Sequence, residues 1–368
     1  MNRALTMLSI WCLVHAGPLS AQGVRGRLLQ PDSSTAIVGA LVVLEDSAGH
    51  RAAQAVSGAG GRYTLRAPAV GIYKLRVLRI GYLPFEVPIS LAHIEDLDRT
   101  LILAGTPVTL PEISVAGKSL CGESSRGDTL SSALWTEAGT ALRIAAQTVT
   151  ERSLRFVVVR EEREINAAGE ARPVDAENRL GTSGWPVRSP PIDSLLEYGF
   201  ILNRDDLWEG PTWLGPDPDV LLSDAFFAGH CFQTVPPAAG LPAEWVGLSF
   251  EPAFESTLTD VRGTLWLDRS SGELRRIDYR YTLLPKWAKG RDAGGTLNLA
   301  RLNDGGWVVQ QWLMRVPIPK VERTADTRTA GNRKVWKERA VFYGYRESGG
   351  RVTEVRGPTG GSLQHFPQ

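Results

Sequence analysis

Residues 58–82 read GAGGRYTLRAPAVGIYKLRVLRIGY. A glycine cluster ahead of basic and apolar residues fits either a phosphate-cradling loop or a turn between strands. A phosphate loop needs a strand, the glycines, and then a helix whose N-terminal amides face the anion. Here Tyr63 and Leu65 alternate with Arg62, Thr64 and Arg66, and Tyr73, Leu75 and Val77 alternate with Lys74 and Arg76. That period of two belongs to strands, so a phosphate loop is excluded. The glycines therefore read as a hairpin turn at positive φ, and residues 67–71 as the next turn. The same grammar runs outward on both sides. Residues 24–29, 38–44 (the densest apolar run), 50–56, 85–89, 101–103 and 113–115 read as further short strands. Closely spaced strands with turn signals between them describe a small antiparallel β-sandwich.

Twelve of these residues also carry a family pattern: Gly39, Ala40, Val42, Gly61, Tyr63, Leu65, Gly71, Tyr73, Leu75, Val77, Gly81 and Tyr82. On them, residues 22–106 resemble the carboxypeptidase regulatory-like domain. The resemblance implies a transthyretin-like, prealbumin-type sandwich, a fold grouped with carbohydrate-binding modules. It also implies the company of bacterial outer-membrane receptors of the TonB-dependent type, whose plugs this domain precedes. It does not imply a peptidase. A zinc peptidase needs two His and a carboxylate around the metal. After residue 21 the His residues are His50, His93, His230 and His365, and His93-Ile94-Glu95 is one residue too tight for a His-x-x-Glu pair.

The rest of the composition sets the compartment. The chain has 368 residues, 43% hydrophobic and 22% charged, and a formal charge of +1. That balance gives no basic patch or domain for a nucleic-acid partner. Residues 1–21 combine Arg3, the apolar run 5–14, a Gly-Pro break and a small-residue end. They read as a secretory leader cleaved after Ala21, and so as export to the periplasm or to the outer membrane. Cleavage would remove Cys12 and leave Cys121 and Cys231. In an oxidising compartment that pair reads as one disulfide, closing a loop of about 110 residues. No later segment reads as a transmembrane helix.

Residues 107–127 read as a linker rich in Pro, Gly and Ser. Leu130, Leu134, Ala138, Ala141, Leu142, Ala145 and Val149 then recur at helical spacing, predicting a helix over 129–150 that packs on a sheet. Residues 155–165 and those from 171 on read as a polar hairpin, and 192–198 as a short helix. Strands follow at 245–250, 263–268, 273–281, 295–302 and 307–316, with two more at 335–345 and 352–355. The whole of 128–357 reads as a β-rich α+β domain with an antiparallel, half-barrel-like sheet, and 358–368 as a disordered tail. The stretch GTLWLDRSSGEL (263–274) is similar to the hairpins of lipoprotein-carrier-type envelope proteins, whose curved sheet wraps a helix. A membrane barrel is disfavoured, since Arg275, Arg276 and Arg280 sit on both faces of one strand.

Chemistry is sparse. The densest cluster is Asp217, Asp219, Asp224 and His230, with Trp208 and Trp213 upstream. As a ligand site it would offer carboxylates, an imidazole and aromatic platforms. As structure, the aspartates would cap turns. A calcium loop lacks its glycine and closing Glu, and no G-x-S-x-G elbow is present. Glu161-Glu162 reads as a solvated pair in a charged strand. The expectation is therefore a mostly β, non-enzymatic, exported envelope protein with no cofactor and no metal. Its sandwich would dock a glycan or an envelope protein. The alternatives are an accessory of a TonB-dependent-receptor-type transport system and an enzyme with an unrecognised site.

Overall fold

A computed structural model describes residues 22–92, 97–104, 129–151, 154–181, 185–187, 189–203, 206, 210–326 and 335–367. The expected leader, the expected linker with Cys121 and the strand expected at 113–115, and Trp208 all lie outside these residues.

The predicted alternation builds the first unit. Strand β4 (Arg62–Ala67) buries Tyr63, Leu65 and Ala67 and exposes the residues between them. One sheet holds β4, β1 (Gln22–Leu29), β7 (Leu97–Asp98) and β8 (Leu101–Ile102). The other runs β3 (Arg51–Val56), β2 (Leu41–Glu45), β5 (Gly71–Leu78), β6 (Phe85–Leu91). Val24, Leu28, Val42, Leu44, Leu65, Leu75 and Val77 fill the space between them. One expectation is corrected here. The glycine turn is not a hairpin, and neither is the turn at 67–71. β4 pairs with β1, whereas β3 and β5 both pair with β2, so each turn carries the chain across from one sheet to the other. Gly60 and Gly61 do have positive φ, 67° and 70°. A Cβ on Gly61 would run into the Leu28 carbonyl, so the crossover passes too close to β1 for any side chain.

The second unit is an antiparallel sheet in the order β10 (Ala171–Gly181), β9 (Arg155–Asn166), β19 (Val335–Arg356), β18 (Trp307–Asp326), β17 (Gly294–Arg301), β16 (Leu274–Tyr281), β15 (Val261–Asp268), β14 (Trp245–Pro252), β13 (His230–Val235). β20 (Ser362–His365) also joins β19, so the tail expected as disordered contains a strand. β10 and β13 are open edges of this sheet, which does not close into a barrel. The strands expected separately at 335–345 and 352–355 are one strand of 22 residues.

Helix α1 (Thr129–Glu151) lies between the two units. The expected face is present: Leu134, Ala138, Ala141, Leu142 and Ala145 are buried. They pack on β14–β18 on one side, and the outer sandwich face joins the same core through Leu41, Val43, Val56 and Leu78. Each large apolar side chain removed from water there contributes about 1.5–3 kcal/mol. The seam is backbone-tight. Gly39 (φ 81°) meets Gly305 (φ 83°), and a Cβ on either would overlap the other's backbone. Gly81 N donates to Glu137 Oε2 at 2.7 Å, and Gln54 bonds Gln147 at 2.5 Å. Among the described residues, no helix is long and apolar enough to cross a membrane.

Candidate functional site

The sheet face that carries the core continues past it along β18 and β19. There, among the described residues, it is left uncovered and forms a groove of about 780 Å³. Met314, Val316, Ile318 and Lys320 line it from alternate positions of β18. Two prolines, Pro317 and Pro319, sit in the same run. Proline cannot donate to a ladder and is confined to strand edges. β17 stops pairing with β18 at Arg315, so among the described residues the prolines fall where β18 has a free edge. Opposite them the register slips: Ile318 faces Gly344 and Pro319 faces Phe342, leaving Tyr343 as the extra residue. A bulge re-aims its side chain. Tyr343 lines the groove and is 44% exposed.

Gly210, Pro211 and Trp213 form the rim. Trp213 belongs to the short strand β12 (Thr212–Trp213), paired with β11 (Ile201–Leu202). Tyr281 pins this element to the sheet. Its hydroxyl donates to the Leu214 carbonyl at 2.8 Å, and its ring meets Trp213 edge-on at 5.1 Å. Burial raises the Tyr281 phenol well above its ordinary value, so it stays a donor.

The polar wall comes from β9 and β19. Arg346 lies opposite Glu164 in the register, and its guanidinium spans two carboxylates: Glu162 Oε1 at 3.1 Å and Glu164 Oε1 at 3.0 Å. Glu164 also meets Arg172 at 3.3 Å. The hydrogen bond from Arg346 is the main reason that the Glu164 carboxyl is lowered from its ordinary value. The groove thus combines an aromatic rim, an apolar floor and a fixed charged wall. Such a surface can stack on a sugar ring or a flat side chain while hydrogen-bonding hydroxyl groups. Glu162, set aside as solvated in the sequence, is part of this wall. Its signal is a partner 184 residues away, Arg346, which no local pattern shows.

The Asp and His residues do not converge. Asp217 is the N-cap of α3 (Pro218–Leu221): Oδ1 accepts from Val220 N, and Oδ2 accepts from Ser189 N, both at 3.0 Å. Burial raises its carboxyl, against these backbone donors. Asp219 is exposed on α3, and Asp224 is exposed at the start of α4 (Asp224–Gly229), whose N-cap is Ser223. His230 is 8% exposed and stacks on Phe226 at 3.8 Å. Its Nδ1 lies 3.0 Å from the Phe226 carbonyl, and its Nε2 lies 3.1 Å from the Val261 carbonyl and 3.4 Å from Asp260 Oδ1. Among the described residues, no three His, Cys, Asp or Glu side chains are grouped to hold a metal. On the sandwich, Lys74 and Arg76 are tied to Glu45 and Glu86 at 3.2–3.6 Å and offer no free basic row.

Comparison with known proteins agrees with the sandwich. Residues 23–104 match the carboxypeptidase regulatory-like domain. That stretch is a domain of this family. The match covers well under half of the chain and fixes a fold, not a function. No curated protein matches the chain. Among solved structures, a 9R-lipoxygenase from Cyanothece PCC8801 is similar at 13% identity, over 77% of this chain and 42% of that one, with a TM-score of 0.20. The chain thus spans under half of that protein, and so low a score establishes neither fold nor chemistry.

Proposed function

We propose that the protein is exported to the cell envelope and works by binding, with its main ligand seat in the groove beneath Trp213. The ligand class is an envelope glycan. The observation that carries this reading is the juxtaposition of Trp213 and Tyr343 with the fixed Glu162–Arg346–Glu164 wall in one open groove. Aromatic faces take the apolar faces of sugars, and a rigid wall of donors and acceptors takes their hydroxyls. The leader-like residues 1–21 support export. The role includes no catalytic step. Asp217 and His230, two of the candidate ligand-site residues of the sequence, are engaged by backbone groups. The regulatory-like domain acts as a structural partner: its outer face contributes Leu41, Val43, Val56 and Leu78 to the α1 core.

A protein partner is the second reading, favoured by a different feature. Among the described residues, β18 and β19 pair only with each other beyond Arg315 and Gly344, and Trp336 on this arm is 58% exposed. An accessory role beside an outer-membrane receptor would use this arm. Calorimetric titration of the mature chain with solubilised envelope polysaccharide tests the first reading. Saturable binding that Tyr343→Ala weakens supports it, and crosslinking to an envelope protein through residue 336 without glycan binding supports the second.

A further inference from the structure

A second cleft, of about 300 Å³, lies in the seam between the regulatory-like domain and the large sheet. Arg79 and Tyr82 enter it from the β5–β6 connection, and Ser270, Ser271, Glu273 and Arg301 from the β15–β16 turn and β17. The Arg79 guanidinium is half-buried and stacks over the Tyr82 ring at 3.9 Å. It has no carboxylate partner among the described residues. Arg301 donates through Nη2 to the Val38 carbonyl at 3.3 Å and lies 3.5 Å from Glu273 Oε1.

The charges around the cleft leave a cation over. Glu273 is the one carboxylate among its lining residues, and Arg275 already holds it at 2.5 Å. Asp268 accepts from Ser270 N, Ser271 N and the Ser270 hydroxyl, and lies 3.8 Å from Arg275. Glu137 is turned to Gly81 N, behind the wall. Arg79 and Arg301 therefore face one space whose one carboxylate, Glu273, is already held by Arg275 and Arg301. Burial first, and then the charge of Arg301, lower the Arg79 guanidinium from its ordinary value. An anion between the two would offset the repulsion from Arg301.

We propose that this cleft binds a small hydroxylated carboxylate, of the size and kind of a uronic acid, held between Arg79 of the regulatory-like domain and Arg301 of the sheet. Arg79 takes the carboxylate, since a guanidinium presents a planar fork to it. The Ser270 and Ser271 hydroxyls and the seam backbone face the sugar hydroxyls. The volume is at the small end of ligand sites and suits one sugar ring. The ligand touches both units, so its binding raises the melting temperature of the whole chain. The site is separate from the groove and does not rest on it.

The test is calorimetric titration of the mature chain, residues 22–368, with glucuronate, glucose and inorganic phosphate, alongside thermal melts. The expected result is saturable glucuronate binding, weakened by added salt, with glucose at least about tenfold weaker. Arg79→Gln should weaken glucuronate roughly tenfold to hundredfold, the scale of one charge-assisted hydrogen bond. Arg62→Gln, an equal charge change on the exposed side of β4, should leave it unchanged. If Arg79→Gln melts abnormally, Arg79→Lys takes its place, keeping the charge and losing the fork. The proposal is overturned if glucuronate does not saturate, if glucose or phosphate binds as well, or if folded Arg79 variants keep wild-type affinity.

Discussion

Replacing Glu137 by Gln should stabilise the protein at neutral pH and leave it nearly unchanged at pH 4.5. Glu137 lies on α1 at 5% exposure, and burial pushes its carboxyl up from 4.5 to about 7, against the hydrogen bond from Gly81 N. The folded state thus holds this proton more tightly than the unfolded chain. Below pH 4.5 both states carry it, and the stabilising contribution is fully present. Between 4.5 and 7 the unfolded chain releases it first, and stability falls. Above about 7 both are ionised, and the loss is complete. That interval converts, at about 1.4 kcal/mol per pH unit, into about 3 kcal/mol. Gln keeps an acceptor for Gly81 N and has no proton to lose. Urea unfolding of both proteins from pH 4.5 to 8.5, followed by circular dichroism, gives the difference curve. It should open from near zero to about 3 kcal/mol by pH 8. A curve flat with pH would refute the assignment of a buried, proton-holding Glu137 at the seam.

Three further outcomes follow from the packing. Gly39→Ala forces a side chain to φ 81° and into the Gly305 backbone, whereas Gly49→Ala forces φ 82° into open space. Both should cost about 1–3 kcal/mol for the backbone, with Gly39→Ala clearly the worse in urea unfolding. His230→Ala removes the stack on Phe226 and leaves the buried Val261 carbonyl without its ring partner, costing about 2–4 kcal/mol in the same assay. If Cys121 and Cys231 form the expected disulfide, a non-reduced peptide map joins their two peptides, and reduction lowers the melting temperature; the chain-entropy scale is about 4–5 kcal/mol.

The sandwich was legible because its strands alternate and its turns carry glycine. Which strands pair was not, since local period gives no partner: β3–β4 and β4–β5 read as hairpins and are crossovers. The run Leu41–Glu45 did carry a clue. Its first four residues are all buried, which a sandwich strand with one solvated face would not show. That run reports α1 and the sheet on the outer face. The α1 apolar face was clear from its spacing. The groove was mostly hidden. Trp213 stood out by residue type, but Glu162, Arg346 and the bulged Tyr343 are brought together only by the pairing of β9, β19 and β18. Pro317 and Pro319 hid the length of β18, because proline argues against a central strand and here marks an edge.

The most direct measurement is retention of residues 22–368 on purified envelope polysaccharide, wild type against Trp213→Ala. Stacking on an aromatic platform is lost with the ring, and the groove predicts saturable retention by wild type that falls at least about tenfold in the variant, at unchanged far-ultraviolet circular dichroism. Equal retention by the two proteins, or none by either, would contradict a glycan seat beneath Trp213.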